Sequence, residues 1–328
     1  MSDQAKQKFK LYNYDPSLAG NVVFIVLFSL ATIGHGVLMI RHKTWYFIPF
    51  LIGCLFESIG YIGRAIQAQE SPDWTTGPYI MQTLTILLGP TLYAASIYMV
   101  LGRLIRMLDA GQYSIVRPSW LTKIFVGGDV LSFLTQGAGG GILAKAKTKS
   151  DQDLGQNIVL AGLGIQVVFF GLFIITTIIF HVRIVRNPTP RSYSVTTPWR
   201  QLIVVALYLA SVLIIIRSLF RLIEYASGHD GVLMSSEVYL FVFDSVLMFL
   251  VAVVFLIYHP GRVLVGYKQV GGSSDDGTDI EGARGSSNHA MVPVYNESGR
   301  VVVDPSKVDR GDRRERRQAE RDARGGRY

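Results

Sequence analysis

Residues 157–182 read NIVLAGLGIQVVFFGLFIITTIIFHV, a run without a single Asp, Glu, Lys or Arg. A helix needs about 20 mostly apolar residues to cross the hydrocarbon core of a bilayer. This stretch exceeds that length. Six others meet or approach it: 21–40, 45–66, 79–102, 121–144, 201–224 and 236–258. The chain is 49% hydrophobic and only 17% charged, whereas soluble domains carry about 25% charged residues. The fold class expected is all-α: a polytopic membrane protein with seven transmembrane helices, packed together to satisfy their polar groups.

The seven stretches fill most of residues 21–258, which leaves no room for a soluble catalytic domain before the tail. Three segments are expected. Residues 1–20 form an extracellular tail, 21–267 the seven-helix transmembrane domain, and 268–328 a disordered cytoplasmic tail rich in Gly, Ser, Asp and Arg. The first apolar run is too long for the core of a cleavable signal, so it reads as a signal anchor. Cys54 is the single cysteine, so an intramolecular disulfide is impossible. Asn296-Glu-Ser fits a glycosylation sequon but falls in the predicted cytosolic tail.

Positive charge near span ends marks the cytoplasmic side. Arg41 and Lys43 lie in the first loop, Arg103, Arg106 and Arg117 in the third, and Arg183, Arg186, Arg191 and Arg200 in the fifth. Loops 67–78 and 225–235 have no Lys or Arg. Loop 145–156 runs against the trend with Lys145, Lys147 and Lys149. The balance predicts the N-terminus outside and the C-terminus in the cytosol. Trp45, Trp74, Trp120 and Trp199 fall at span ends, as an interfacial aromatic belt requires.

Ionisable groups inside spans are costly and usually face a protein interior or a wet cavity. Here they come in pairs seven residues apart: Glu57 and Arg64, Arg217 and Glu224 with Arg221 between them, Glu237 and Asp244. Asp129 and Gln136 repeat the spacing. Seven residues is close to two helical turns, so each pair shares a face. Four helices thus carry polar stripes, expected to point at each other. Arg217 and Arg221 are the expected partners of Glu57, Glu224 and Asp244. Gln82 and Gln166 join the set in the outer half. Such pairs can simply fix helix packing. Charge on several helices at several depths points instead to a cavity for ligand binding or transport. Glu224 and Glu237 are expected to form its outer rim, because the 225–235 loop brings no cation to neutralise them.

Gly137 and Gly141 have the spacing that lets a second helix approach closely. Pro90 removes a backbone donor within span three. His35, His181 and His259 show no metal-site spacing. There is no nucleotide-binding loop, zinc-protease motif or nucleophile elbow. The chain is therefore expected to have no cofactor or metal, to bind no nucleic acid and not to be an enzyme. Its expected partners are membrane lipids and amphiphilic small molecules, and the oligomeric state stays open.

An ordered series of motifs carries a resemblance. Tyr14-Asp-Pro-Ser17 precedes span one, and Glu57-Ser-Ile-Gly-Tyr61 with Arg64 lies in span two. Gln82, Pro90 and Tyr98 follow, then Asp129 and Gln136-Gly-Ala-Gly-Gly140, Gly162-Leu-Gly-Ile-Gln166, Arg217-Ser-Leu-Phe-Arg221 with Glu224, then Glu237, Asp244 and His259-Pro-Gly261. The set resembles the fungal lipid-translocating exporter family of RTA-like seven-span proteins over roughly residues 12–267. The resemblance implies movement of sphingoid long-chain bases or toxic amphiphiles, with one branch linked to porphyrin traffic. The plasma membrane is the expected location, an internal membrane the alternative. A seven-span receptor or regulator of lipid signalling is the competing class. The lone Cys54, and His259-Pro-Gly at the end of span seven, depart from the receptor pattern.

Overall fold

A computed structural model describes residues 16–71, 74–145, 148–195, 199–227 and 237–264, with the pairs 294–295 and 301–302. The expectations for the extreme N-terminus, most of the 225–235 loop, the Asn296 sequon and nearly all of the 268–328 tail lie outside the described residues. Within the tail, Val294–Tyr295 pairs antiparallel with Val301–Val302. Residues Met1–Ser273 and Ser274–Tyr328 form separate units.

The first unit is built of long helices: α1 Leu18–His42, α2 Ile48–Gln69, α3 Thr76–Met107, α4 Pro118–Lys145, α5 Lys149–Arg186, α6 Trp199–Ala226 and α7 Glu237–Leu264. All except α4 are long and apolar enough to cross a membrane. The chain is a multi-pass integral membrane protein. Its outer surface is apolar: Val26, Leu30, Ile33, Val168, Leu172 and Ile175 are each about half exposed or more. Charged residues such as Arg217, Glu57 and Asp244 are buried instead. A soluble bundle would show the reverse distribution.

Local signals set the ends. Ser17 caps α1 by accepting the Gly20 N–H at 3.3 Å, and Lys43 closes it in a left-handed conformation, φ 51°. A reciprocal capping box of Thr148 and Asp151 starts α5 at Lys149. The helix therefore begins eight residues before the expected start at 157, and much of the expected 145–156 loop is helix. The hydropathy of 149–156 hides a helix that the cap specifies.

Each helix packs on its sequence neighbour, and α7 packs back on α1 to close a ring. Among the six apolar spans α3 is the most buried, with 61% of its apolar window inside. Aromatic rings fill the half away from the N-terminus, where Phe47 stacks on Phe50 at 4.6 Å and Phe50 on Tyr93 at 4.3 Å. In the same half His35 faces the Ala252 carbonyl at 3.1 Å, and Thr189 donates to the Leu108 carbonyl at 2.6 Å.

The closest backbone approach joins α4 to α5. A Cβ on Gly139 would sit 2.7 Å from the Gly155 carbonyl, and one on Gly162 would sit 3.0 Å from the Ser132 carbonyl. A Cβ on Gly137 or Gly141, the pair expected to make this contact, would meet no other helix within 4 Å among the described residues. They lie on a different side of α4 from Gly139.

Candidate functional site

The polar residues gather in the half of the bundle that holds the start of α1, the ends of α2 and α6, and the start of α7. The key backbone irregularity is in α3. Pro90 has no N–H, so the carbonyl four residues earlier, Ile86, lacks its helical donor. Arg217 of α6 supplies one, with Nη2 at 3.2 Å from the Ile86 oxygen. Arg217 is fully buried, and its Nε also donates to Asp244 Oδ1 at 2.5 Å. The sequence shows the donor lost at Pro90, but not that Arg217 takes up the acceptor this leaves at Ile86. The spacing of four residues is the signal that would have found it.

Asp244 binds two arginines. Arg221, one turn on from Arg217, donates Nη2 to Asp244 Oδ2 and Nη1 to Glu224 Oε2, the latter at 3.0 Å. Arg217, Asp244, Arg221 and Glu224 thus form one chain of ion pairs between α6 and α7. The segment Phe241–Val246, which holds Asp244, winds as a π-helix. Such wide turns occur frequently at functional sites. Next to Asp244, Ser245 hydrogen-bonds Tyr61 of α2.

The wide turn also changes what the seven-residue spacing does. Glu237 precedes it and takes a different partner from Asp244. Glu237 Oε1 accepts from Arg64 Nε and Nη2 at 3.0 and 2.9 Å, while Oε2 accepts the Ser17 N–H at 2.6 Å. One carboxylate therefore joins the start of α1, the end of α2 and the start of α7. Glu224 and Glu237 are not the free rim carboxylates that the cation-poor loop suggested. Their counter-charges come from Arg221 on the same helix as Glu224 and from Arg64 on α2, which loop composition cannot reveal.

Helix α4 departs from the expected convergence. Asp129 accepts a hydrogen bond from Tyr98 of α3 at 2.9 Å. Gln136 donates to Ser132 at 2.6 Å and to Gln166 of α5 at 3.3 Å. The stripe on α4 faces α3 and α5, and among the described residues the charges meet between α2, α6 and α7. Gln82 is buried on α3, its Cβ facing Gly63 of α2. Among the described residues no group of His, Cys, Asp and Glu is placed to hold a metal ion.

Glu57 stands apart within this centre. It is 1% exposed, and its carboxyl lies against the backbone of Gly89, where a Cβ would fall 2.7 Å from Oε1. Arg217, Arg221 and Asp244 all act on it electrostatically. Among the described residues no hydrogen bond reaches Oε1. Arg217 Nη1 and Arg221 Nε are also buried without an acceptor.

A family model described as "RTA1 like protein" matches residues 50–266. The chain belongs to this family. The match begins at the start of α2 and runs past α7, so it spans every residue of the ion-pair chain. Among the relatives, Protein RTA1 of Saccharomyces cerevisiae is 37% identical over 78% of this chain and 86% of its own length. Protoporphyrin uptake protein 1 of the same yeast is 36% identical over 75% of this chain and 91% of its own. Probable lipid transporter atnI of Emericella nidulans is 32% identical over 78% and 69%. No solved structure matches. Within this RTA1-like chain, the charges that come together are Glu57, Arg64, Arg217, Arg221, Glu224, Glu237 and Asp244. Asp129, Gln136 and Gln166 form a second polar contact on the α4–α5 side.

Proposed function

We propose that this RTA1-like protein moves amphiphilic lipids across the bilayer, as a carrier and not as an enzyme. The observation that supports this most is the buried ion-pair chain beside Glu57, inside a bundle whose outer face is apolar. An amphiphile crosses slowly because its polar head must leave water. A line of charges between α2, α6 and α7 offers that head partners while its chain stays in hydrocarbon. The relative named a lipid transporter supports the same reading. A cationic head, such as that of a sphingoid base, suits Glu57, the carboxylate of this centre that neither Arg217 nor Arg221 pairs with. The exporter resemblance supports placing the activity at the plasma membrane.

The purified protein alone, reconstituted into liposomes with a fluorescent lipid amine, tests this. Dithionite quenches only outer-leaflet label. We expect the protein to expose the inner-leaflet label to quenching, with no nucleotide and no second protein. Inner label that stays protected overturns the carrier reading. The relative named for protoporphyrin uptake favours a second reading in which the cargo is a carboxylated tetrapyrrole. The buried Arg217 Nη1 and Arg221 Nε donors suit its acid groups. Protoporphyrin entering the same liposomes, with the lipid amine excluded, selects that reading.

We also propose seven spans, counting α4. Its 28 residues extend about 42 Å at 1.5 Å per residue. Val130, Leu131 and Leu134 are about half exposed and give it an apolar outer face. With seven spans and arginine-rich third and fifth loops, the N-terminus is outside and the C-terminus cytosolic. A tag after residue 268 is expected to resist protease on intact cells. Cleavage there overturns the orientation.

A further inference from the structure

We infer that Glu57 is the exchange point of the carrier, where one proton is traded for the head group of one singly charged amine. The inference rests on the lipid-transport reading and adds what that reading leaves open, the coupling ion and the residue that holds it.

Charge matching leads to Glu57. The two guanidiniums at the centre, Arg217 and Arg221, are matched by Asp244 and Glu224 through the ion pairs. Arg64 is matched by Glu237. Among the described residues Glu57 has no counter-charge left. The groups that face it are accounted for. On its own helix Cys54 accepts a hydrogen bond from Tyr93 of α3, and Tyr61 bonds Ser245. On α6 and α7 Arg217, Arg221 and Asp244 hold one another. From α1, Ser29 contacts the adjoining Ser58 and carries no charge.

A bare carboxylate in that position, without a hydrogen bond to Oε1, would cost several kcal/mol. Two occupants remove the cost. A proton makes the group neutral, and a bound ammonium pairs with it. Both need the same oxygens, so they exclude each other. When the amine enters, the carboxyl O–H bond breaks and the proton leaves to water. The carboxylate then pairs with the ammonium. Release of the amine reverses both events, so each cycle moves one proton against one cation. Gly89 leaves the space beside Oε1, because any larger residue would press on the carboxyl.

The test uses the purified full chain in detergent and weak buffer at neutral pH, with a pH indicator. Dodecylamine is titrated in, and dodecanol serves as the uncharged control. A long-chain amine is fully protonated there, since a lysine-like ammonium titrates at about 10.4. We expect one proton released per amine bound and none with dodecanol. Amine affinity is expected to weaken about tenfold for each pH unit lowered, because binding expels a proton. Glu57→Gln is expected to release none. Gly89→Ala, which displaces the carboxyl but keeps it, is expected to bind amine more weakly with the same proton count. This second variant keeps the inference testable if Glu57→Gln fails to fold. Amine binding without proton release in the wild type overturns the exchange and leaves the carrier reading standing. Equal release from Glu57→Gln overturns the assignment to Glu57. Absence of both amine binding here and lipid movement in liposomes overturns the two readings together.

Discussion

Replacing Arg217 with Ala is expected to destabilise the protein by about 3–5 kcal/mol, the cost of breaking a buried ion pair from one side. Two groups lose a partner at once. Asp244 keeps only Arg221, and the Ile86 carbonyl, already without a helical donor because of Pro90, is left bare. The centre then carries one excess negative charge in a buried position. Asp244→Asn in the Arg217→Ala background restores charge balance and is expected to recover part of the loss. Pro90→Ala in the same background returns an N–H to Ile86 and is expected to recover a different part. Cys54 gives the measurement. It is the single cysteine and fully buried, so a thiol-reactive dye reports unfolding directly. Equal stability of the single and both double variants would show that Arg217 is not held by these partners.

Arg64→Ala is expected to cost about 3 kcal/mol, at the low end for a buried pair because Glu237 sits closer to the bundle end. The loss is larger than a surface pair would give, since Arg64 is 3% exposed and donates twice to one carboxylate oxygen. Glu237→Gln keeps an acceptor for the Ser17 N–H and for Arg64, so a smaller loss is expected from it. A cycle with Arg64→Ala and Glu237→Ala measures the coupling, expected within about 0.5–3 kcal/mol for groups in contact. Because Ser17 shares the carboxylate, Glu237→Ala is expected to loosen the start of α1 as well, read as faster amide exchange there. Additive single losses would mean that the pair does not join α2 to α7.

Much of this arrangement was legible in the sequence because membranes impose one simple rule. Long apolar runs must be helices there, and each of the seven expected stretches is helical over most of its described residues. Buried ionisable residues must meet, and Arg217 and Arg221 do meet Asp244 and Glu224. Which face meets which neighbour was not legible. A seven-residue spacing says that Asp129 and Gln136 share a face, but only the ring order shows that this face meets α3 and α5. The spacing of Gly137 and Gly141 likewise carries no direction, and Gly139 makes the contact. The π-helical turn at Phe241–Val246 breaks the period itself, so Glu237 and Asp244 were read as one stripe yet serve two clusters. The early start of α5 turned on one polar box, Thr148 with Asp151, which hydropathy passes over.

The most direct test of the central claim compares wild type with Glu57→Gln in the same proteoliposomes, after both pass the Cys54 folding check. Inner-leaflet label on a cationic amphiphile and on a neutral analogue is followed by dithionite quenching. The account predicts that Glu57→Gln slows the cationic amphiphile about tenfold or more, equivalent to about 1.4 kcal/mol, and slows the neutral analogue less. Unchanged movement of the cationic amphiphile by Glu57→Gln would contradict it.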